Sequence, residues 1–489
     1  MLTKLIFGLV LILSMGVVSA QGVVETTECA EEPYGYVTLC GYITLPQNYE
    51  NPDAGDVAIY YVQIKSPNPT PQLDPLVYLV GGPGSSGSQI LLSSFQAYLR
   101  PFAEDRDIIV IDQRGTGYST PSLYCQEAIY RLGDILQSTA DTHATVVLDI
   151  LTECHTRLSE KGIQFETFNS QSNAQDIVNV LLSLGYDQWN LVGVSYGSRL
   201  ALTMMRDYPQ YLRSVILDSV YPLQADLYFD SYYSGERSLS VLFEACANDL
   251  KCNTLYPDLE TVFHNVYNRL NENPIIVGFN QSRLGALQIE LSGYRLYDWI
   301  FSWLYSVDSI RTIPKLIYQL DAEQVGYSVQ MGTTYESSLI LLSLGMHYTV
   351  QCQEEYPSNN ARDYASIIES FPYLDGYLRY PVEGMDTVGQ LCALWQAKAM
   401  TGIANAPVKS DVPTLLLTGN FDPITPPAYA DLANETLSMS YNYVLPHVGH
   451  GVLRSESCAV DIALAFIDTP YTEPDITCIA ETLPINFDD

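Results

Sequence analysis

Hydrophobic positions in the first half of the chain fall into two rhythms. Residues 57–64 (VAIYYVQI) carry β-branched and aromatic side chains in near-alternation, which predicts a strand. Residues 76–80 and 108–111 are short unbroken apolar runs, each closely followed by a glycine-bearing turn. A strand covered on both faces reads this way. At 174–184 the period changes, because Ile177, Val178, Val180, Leu181 and Leu184 share one side of a helix. A strand at 189–194, a sharp turn, a helix at 198–208 and a strand at 214–218 continue the series. The order strand, helix, strand predicts an α/β fold with a mostly parallel, doubly wound sheet.

The rhythm stops after Tyr221-Pro222. Mostly helical, tyrosine-rich sequence follows to about Asn405, with helices expected at 238–247, 259–270, 295–305 and 310–320. Sheet-like sequence resumes at 413–418, followed by a helix at 427–432 and a strand at 440–444. The expected plan is therefore a core over 21–221, a helical cap inserted over 222–405, and the rest of the core over 406–489. The aromatic series Tyr294, Tyr297, Trp299, Phe301, Trp303 and Tyr305 is expected to pack the interior of the cap, with the lining of a pocket for an apolar or prolyl side chain as the alternative.

The first residues alter where this fold is expected to work. A lysine precedes an apolar run over 5–18, and Val18-Ser19-Ala20 ends in the small residues that a signal peptidase accepts, which predicts export with the mature chain starting near Gln21. The run is shorter than the roughly 20 residues a spanning helix needs. A secreted or periplasmic protein with no membrane attachment after cleavage is expected. All ten cysteines lie beyond that point, and an even count in an exported chain favours five disulfides. The count does not decide the pairing, and neighbours along the chain are the starting expectation: 29 with 40, 125 with 154, 246 with 252, 352 with 392, 458 with 478. None of them has zinc-site spacing with histidines, so no metal is expected. The formal net charge of -33 repels phosphate backbones, which excludes nucleic acid as a partner.

Gly193-Val194-Ser195-Tyr196-Gly197 fits the G-x-S-x-G elbow and lies between an expected strand and helix, the setting this turn requires. Ser195 is the expected nucleophile. The backbone N–H of Tyr196 would serve as one oxyanion donor. The second is expected from Gly81-Gly82-Pro83-Gly84, and Gly82 is the candidate because Pro83 has no N–H. Asp422, in Gly419-Asn420-Phe421-Asp422-Pro423, follows a strand, where a carboxylate would reach the carboxyl end of the sheet. His450 follows the next strand, flanked by Gly449 and Gly451, with His447 as the alternative base. The chain order Ser, Asp, His is one in which His450 takes the serine proton and Asp422 holds its tautomer. Asp112 and Arg114 read as a local ion pair or turn support.

These motifs, with Asp112-Gln113-Arg114-Gly115-Thr116-Gly117-Tyr118-Ser119 between them, resemble the proline iminopeptidase and tripeptidyl aminopeptidase group of exported α/β-hydrolases. The similarity runs from about Cys40 to Cys478, and the tail from Pro407 resembles the group's C-terminal segment. Val80 departs from the pattern, standing where many members carry His. The resemblance implies a cofactor-free exopeptidase acting on a peptide substrate, with an anionic pocket for the substrate's ammonium group. It points to Glu354 for that pocket, with Glu355 as the second choice. A carboxylic ester hydrolase with the same three residues is the alternative, since fold and triad do not choose between ester and amide. The oligomeric state is left open.

Overall fold

The computed structural model describes residues 22–281, 283–339, 341–356, 363–379, 387–395, 399–400 and 402–488. The expected leader, residues 1–20, lies outside them. Nine strands form one sheet: β1 (Val23–Thr27), β2 (Thr38–Pro46), β3 (Asp56–Ile64), β4 (Leu76–Leu79), β5 (Ile108–Ile111), β6 (Trp189–Val194), β7 (Leu212–Asp218), β10 (Thr414–Gly419) and β11 (Ser440–Leu445). Two more, β8 (Ile275–Gln281) and β9 (Gly285–Leu291), pair as a separate hairpin. The order across the large sheet is β1-β2-β3-β5-β4-β6-β7-β10-β11. The first three strands and β5 are joined by antiparallel pairings, and every pairing from β5 to β11 is parallel.

The continuous apolar runs form β4 and β5, every residue of which is buried. Their side chains alternate between two cores. Val77, Leu79, Ile109, Ile111, Val215 and Leu217 face a cluster with the helices Ser170–Ser183 and Tyr196–Asp207. Leu76, Tyr78, Ile108, Val110 and Ile216 face a cluster with the helices Gly87–Ser94 and Ser457–Asp468. A period of two on a sheet covered on both sides leaves no polar face.

The cap is built around a third cluster that includes Phe263, Trp299, Ile300, Trp303 and Ile317. Leu132, Ile135, Leu136 and Ile150 belong to it as well, so helices between β5 and β6, inside the span expected for the core, pack into the cap. The hairpin β8–β9 was also not expected in this helical stretch. Five disulfides join the pairs expected from chain neighbourhood: Cys29–Cys40, Cys125–Cys154, Cys246–Cys252, Cys352–Cys392 and Cys458–Cys478. No helix among the described residues is long and apolar enough to cross a membrane.

Candidate active site

Ser195 sits between β6 and the helix Tyr196–Asp207, at φ 58° and ψ -125°. Side-chain residues rarely take a positive φ, and such strain collects at functional turns. The flanking glycines follow from space alone. A Cβ on Gly193 would stand 2.3 Å from the Gly197 carbonyl oxygen, and one on Gly197 2.0 Å from that of Leu79. The Ser195 N–H donates to the Asp218 carbonyl at 3.0 Å, and its own carbonyl accepts from the Ser198 N–H at 2.8 Å and hydroxyl at 2.6 Å. Both ends of the turn are thereby anchored to the sheet and helix.

Asp422 follows β10 and is fully buried. Its Oδ2 lies 2.8 Å from His450 Nδ1. Oδ1 accepts from the backbone N–H groups of Ile424 and Thr425, at 3.0 and 2.9 Å. The Thr425 hydroxyl donates to Oδ2 at 2.7 Å and stands 3.1 Å from His450 Nδ1. Burial pushes the Asp422 carboxyl up, but the adjacent His450 and the Thr425 bonds outweigh it and hold the acid below its ordinary range. Thr425 was not singled out from sequence, although a hydroxyl three residues after an acid is a recurrent local partner. The His450 ring packs against Tyr305 with centroids 4.7 Å apart, and the backbone N–H of His450 donates to the Tyr305 carbonyl at 2.9 Å. His447, half-buried, does not border the cavity described next.

Ser195 and His450 line one cavity of about 830 Å³, together with Gly81 and Gly82. A Cβ on Gly81 would stand 2.9 Å from Ser195 Cβ and 3.4 Å from its Oγ, so the glycine loop runs directly beside the nucleophilic hydroxyl. The cap touches this loop: His347 Nδ1 lies 3.0 Å from the Pro83 carbonyl, and the Ser343 N–H donates to the Gly84 carbonyl at 2.9 Å. Tyr196 contributes its backbone at the turn, and its phenol is buried and 2.7 Å from the Ser170 hydroxyl.

The acids of the cavity wall are not those expected. Glu354 is buried, with Oε1 accepting from the Ser170 N–H at 2.6 Å and Oε2 from its hydroxyl at 2.8 Å, and Arg199 Nε is 3.4 Å away. Glu355 is equally buried. Neither borders the cavity. Its described acidic lining is Asp218, Asp298 and Glu336. Glu336 is occupied by Arg295 Nε at 2.9 Å and the Trp299 indole N–H at 2.7 Å. Asp298 is half-buried and lies on the side of the helix Gly293–Trp303 that turns Tyr297 and Phe301 to the cavity, with Tyr305 just beyond the helix end. Trp299 and Trp303 belong to the cap core without bordering the cavity, Phe301 and Tyr305 border the cavity, and Tyr297 does both.

Asp112 and Arg114 do not pair with each other. Arg114 forms a buried two-point bond to Asp176, both contacts 2.7 Å, whereas Asp112 accepts from Ser86, Ser88 and the Tyr118 N–H. One side-chain cluster among the described residues has metal-like composition, Cys125, Glu127 and Cys154, but its two sulfurs are joined as a disulfide.

Comparison with known proteins agrees with this architecture. A model described as alpha/beta hydrolase fold matches residues 74–245, and one described as TAP-like protein matches residues 380–478. Serine protease Hip1 of Mycobacterium tuberculosis is 31% identical over 193 residues, 38% of this chain and 37% of that protein. Tripeptidyl aminopeptidase of Streptomyces coelicolor is 28% identical over 42% of this chain and 38% of that protein. Putative hydrolase YuaR of Escherichia coli is 23% identical over 86% of this chain and 85% of that protein. The match thus spans under two fifths of the first two relatives and most of the third. Sheet order, elbow and family matches together identify the chain as a member of the α/β-hydrolases, with a TAP-like C-terminal segment.

Proposed function

We propose that this protein is an exported serine exopeptidase that cleaves residues or short peptides from free peptide N-termini. The observation that carries the reading is the pairing of Asp422 and Thr425 with His450, which lines the same cavity of about 830 Å³ as the strained Ser195. That volume is in the range that encloses a small ligand. Relatives named serine protease and tripeptidyl aminopeptidase support amide over ester chemistry. Five disulfides support a location outside the reducing cytoplasm, secreted or periplasmic.

In this reading Ser195 Oγ attacks the scissile carbonyl while His450 takes its proton. The N–H groups of Tyr196 and Gly82 receive the oxyanion, His450 returns the proton to the leaving amine, and water then releases the acyl group by the same steps. Asp298, rather than Glu354 or Glu355, meets the substrate's ammonium group. It borders the cavity on the same helix as Tyr297 and Phe301, and burial first, then the charges of Asp422 and Asp298, push up the phenol of Tyr305, which packs on His450.

The test is a panel of chromogenic aminoacyl and tripeptidyl amides, free and N-acetylated, beside a short-chain ester. Free amides should be cleaved, acetylated ones should not, and Ser195→Ala should abolish turnover. Asp422→Asn should lower kcat about 10⁴-fold by losing the productive tautomer. Asp298→Asn should raise KM for free amides alone. Hydrolysis of the ester with no amide cleaved would replace this reading by the esterase one.

A further inference from the structure

Asp218 is a buried carboxylate that the reaction described above leaves without a part, and it lies between the two groups that must meet. It ends β7, borders the cavity and is 1% exposed. Its carbonyl accepts the Ser195 N–H at 3.0 Å. Its Oδ1 accepts the Val452 N–H at 2.7 Å and its Oδ2 the Leu453 N–H at 3.0 Å. The next residue, Ser219, held at φ 55°, accepts the Gly451 N–H on its hydroxyl at 2.8 Å and lies 3.2 Å from Asp218 Oδ1. With the Tyr305 carbonyl on the His450 N–H, four successive backbone donors from 450 to 453 are each held by a defined acceptor. Two of those acceptors belong to one carboxylate.

We propose that Asp218, with Ser219, is a positioning residue for catalysis: one strand end sets the nucleophile's backbone and the backbone behind the base in a single register. The chemistry of the side chain argues for this role. Of the side chains that could stand here, an ionised carboxylate of this length can accept from two consecutive N–H groups while donating to neither. An amide of the same shape offers one oxygen and turns its NH₂ against the second donor. Burial pushes the Asp218 carboxyl up, and the Leu453 and Val452 N–H groups and the nearby His450 offset only part of that rise. A displacement of about 1 Å between reacting groups costs on the order of 100-fold in rate, so backbone register is a sufficient lever.

This inference rests on Ser195 and His450 acting together, and the experiment separates the two. A fluorophosphonate probe reacts with an activated serine without requiring the right substrate. Labelling rate is measured against probe concentration for wild type, Ser195→Ala, Asp218→Asn and Ser219→Ala, with thermal melting to establish that each is folded. The expected result is a maximal rate about 10- to 100-fold lower in Asp218→Asn and several-fold lower in Ser219→Ala, with the half-saturating probe concentration unchanged. Ser219→Ala keeps the buried charge and removes one backbone acceptor, so it reads the same lever if Asp218→Asn does not fold. Folded variants that label at the wild-type rate, or that differ only in half-saturation, overturn the role of Asp218. Absence of labelling at Ser195 in wild type overturns the triad reading, and this inference with it.

Discussion

Glu354 and Glu355 share the neighbourhood of one guanidinium, that of Arg199, in the π-helical turn Gln351–Glu355. Arg199 also reaches the Pro222 and Leu223 carbonyls and the Asn405 side chain, so it is fully spent on structure. Burial pushes the Glu355 carboxyl up to about 7 against the pull of Arg199. A carboxyl raised in the folded state contributes full stability below its unfolded value, and loses it as pH rises toward the folded one. Between about pH 4.5 and 7 the wild type should therefore lose about 3 kcal/mol relative to Glu355→Gln, at roughly 1.4 kcal/mol per pKa unit. Denaturant melts of both proteins at pH 4.5, 6 and 8 check this, and parallel curves would refute it. Ser195 and His450 were legible in the sequence because glycine brackets each one, and Asp422 because it follows a strand: steric exclusion and strand order leave marks in the letters. The cavity acid was not. Whether Glu354 or Asp298 borders the cavity depends on how cap helices are rotated against the core, and both sit among charges that look alike in one dimension.

At the scale of elements, the central strands were legible because burial on both faces makes them continuously apolar. The hairpin β8–β9 escaped because Ile276 puts an apolar side chain on the exposed face of β8 and Gln281 a polar one on the other face, which blurs its alternation. The helices over 126–160 escaped for another reason. Sequence order placed them beside the sheet, while Leu132, Leu136 and Ile150 find their apolar partners in the cap. The second half of the cap is tied down by Cys352–Cys392, whose sulfurs close a stretch 40 residues apart. By loop-closure entropy, replacing both cysteines with serine should destabilise that part by about 4 kcal/mol. Thermal melting with and without reductant, alongside the double variant, measures it. Since Met346, Val350, Leu391 and Trp395 pack with Tyr196 in one cluster, loss of this tie should also reduce Ser195 reactivity below the melting temperature.

Taken whole, the molecule is strongly acidic, with 56 Asp and Glu against 23 Lys and Arg. A field of that sign raises the encounter rate with cationic ligands and weakens as salt screens it beyond a Debye length of about 10 Å at 0.1 M. For peptides with free amino termini, kcat/KM should fall several-fold between about 0.01 and 0.3 M salt, whereas a neutral ester should be nearly unaffected. Equal salt dependence for both would remove charge steering from the account. The placement of β10 next to β7 has a consequence for biogenesis. Residues 222–405, most of the cap, are synthesised between these two strands, so an emerging chain carries Ser195 long before Asp422 and His450 exist. Throughout that interval β7 presents an open edge, and the base has no loop to stand on. Hydrolytic competence therefore waits until β10 and β11 have added to that edge and brought Asp422 and His450 to Ser195.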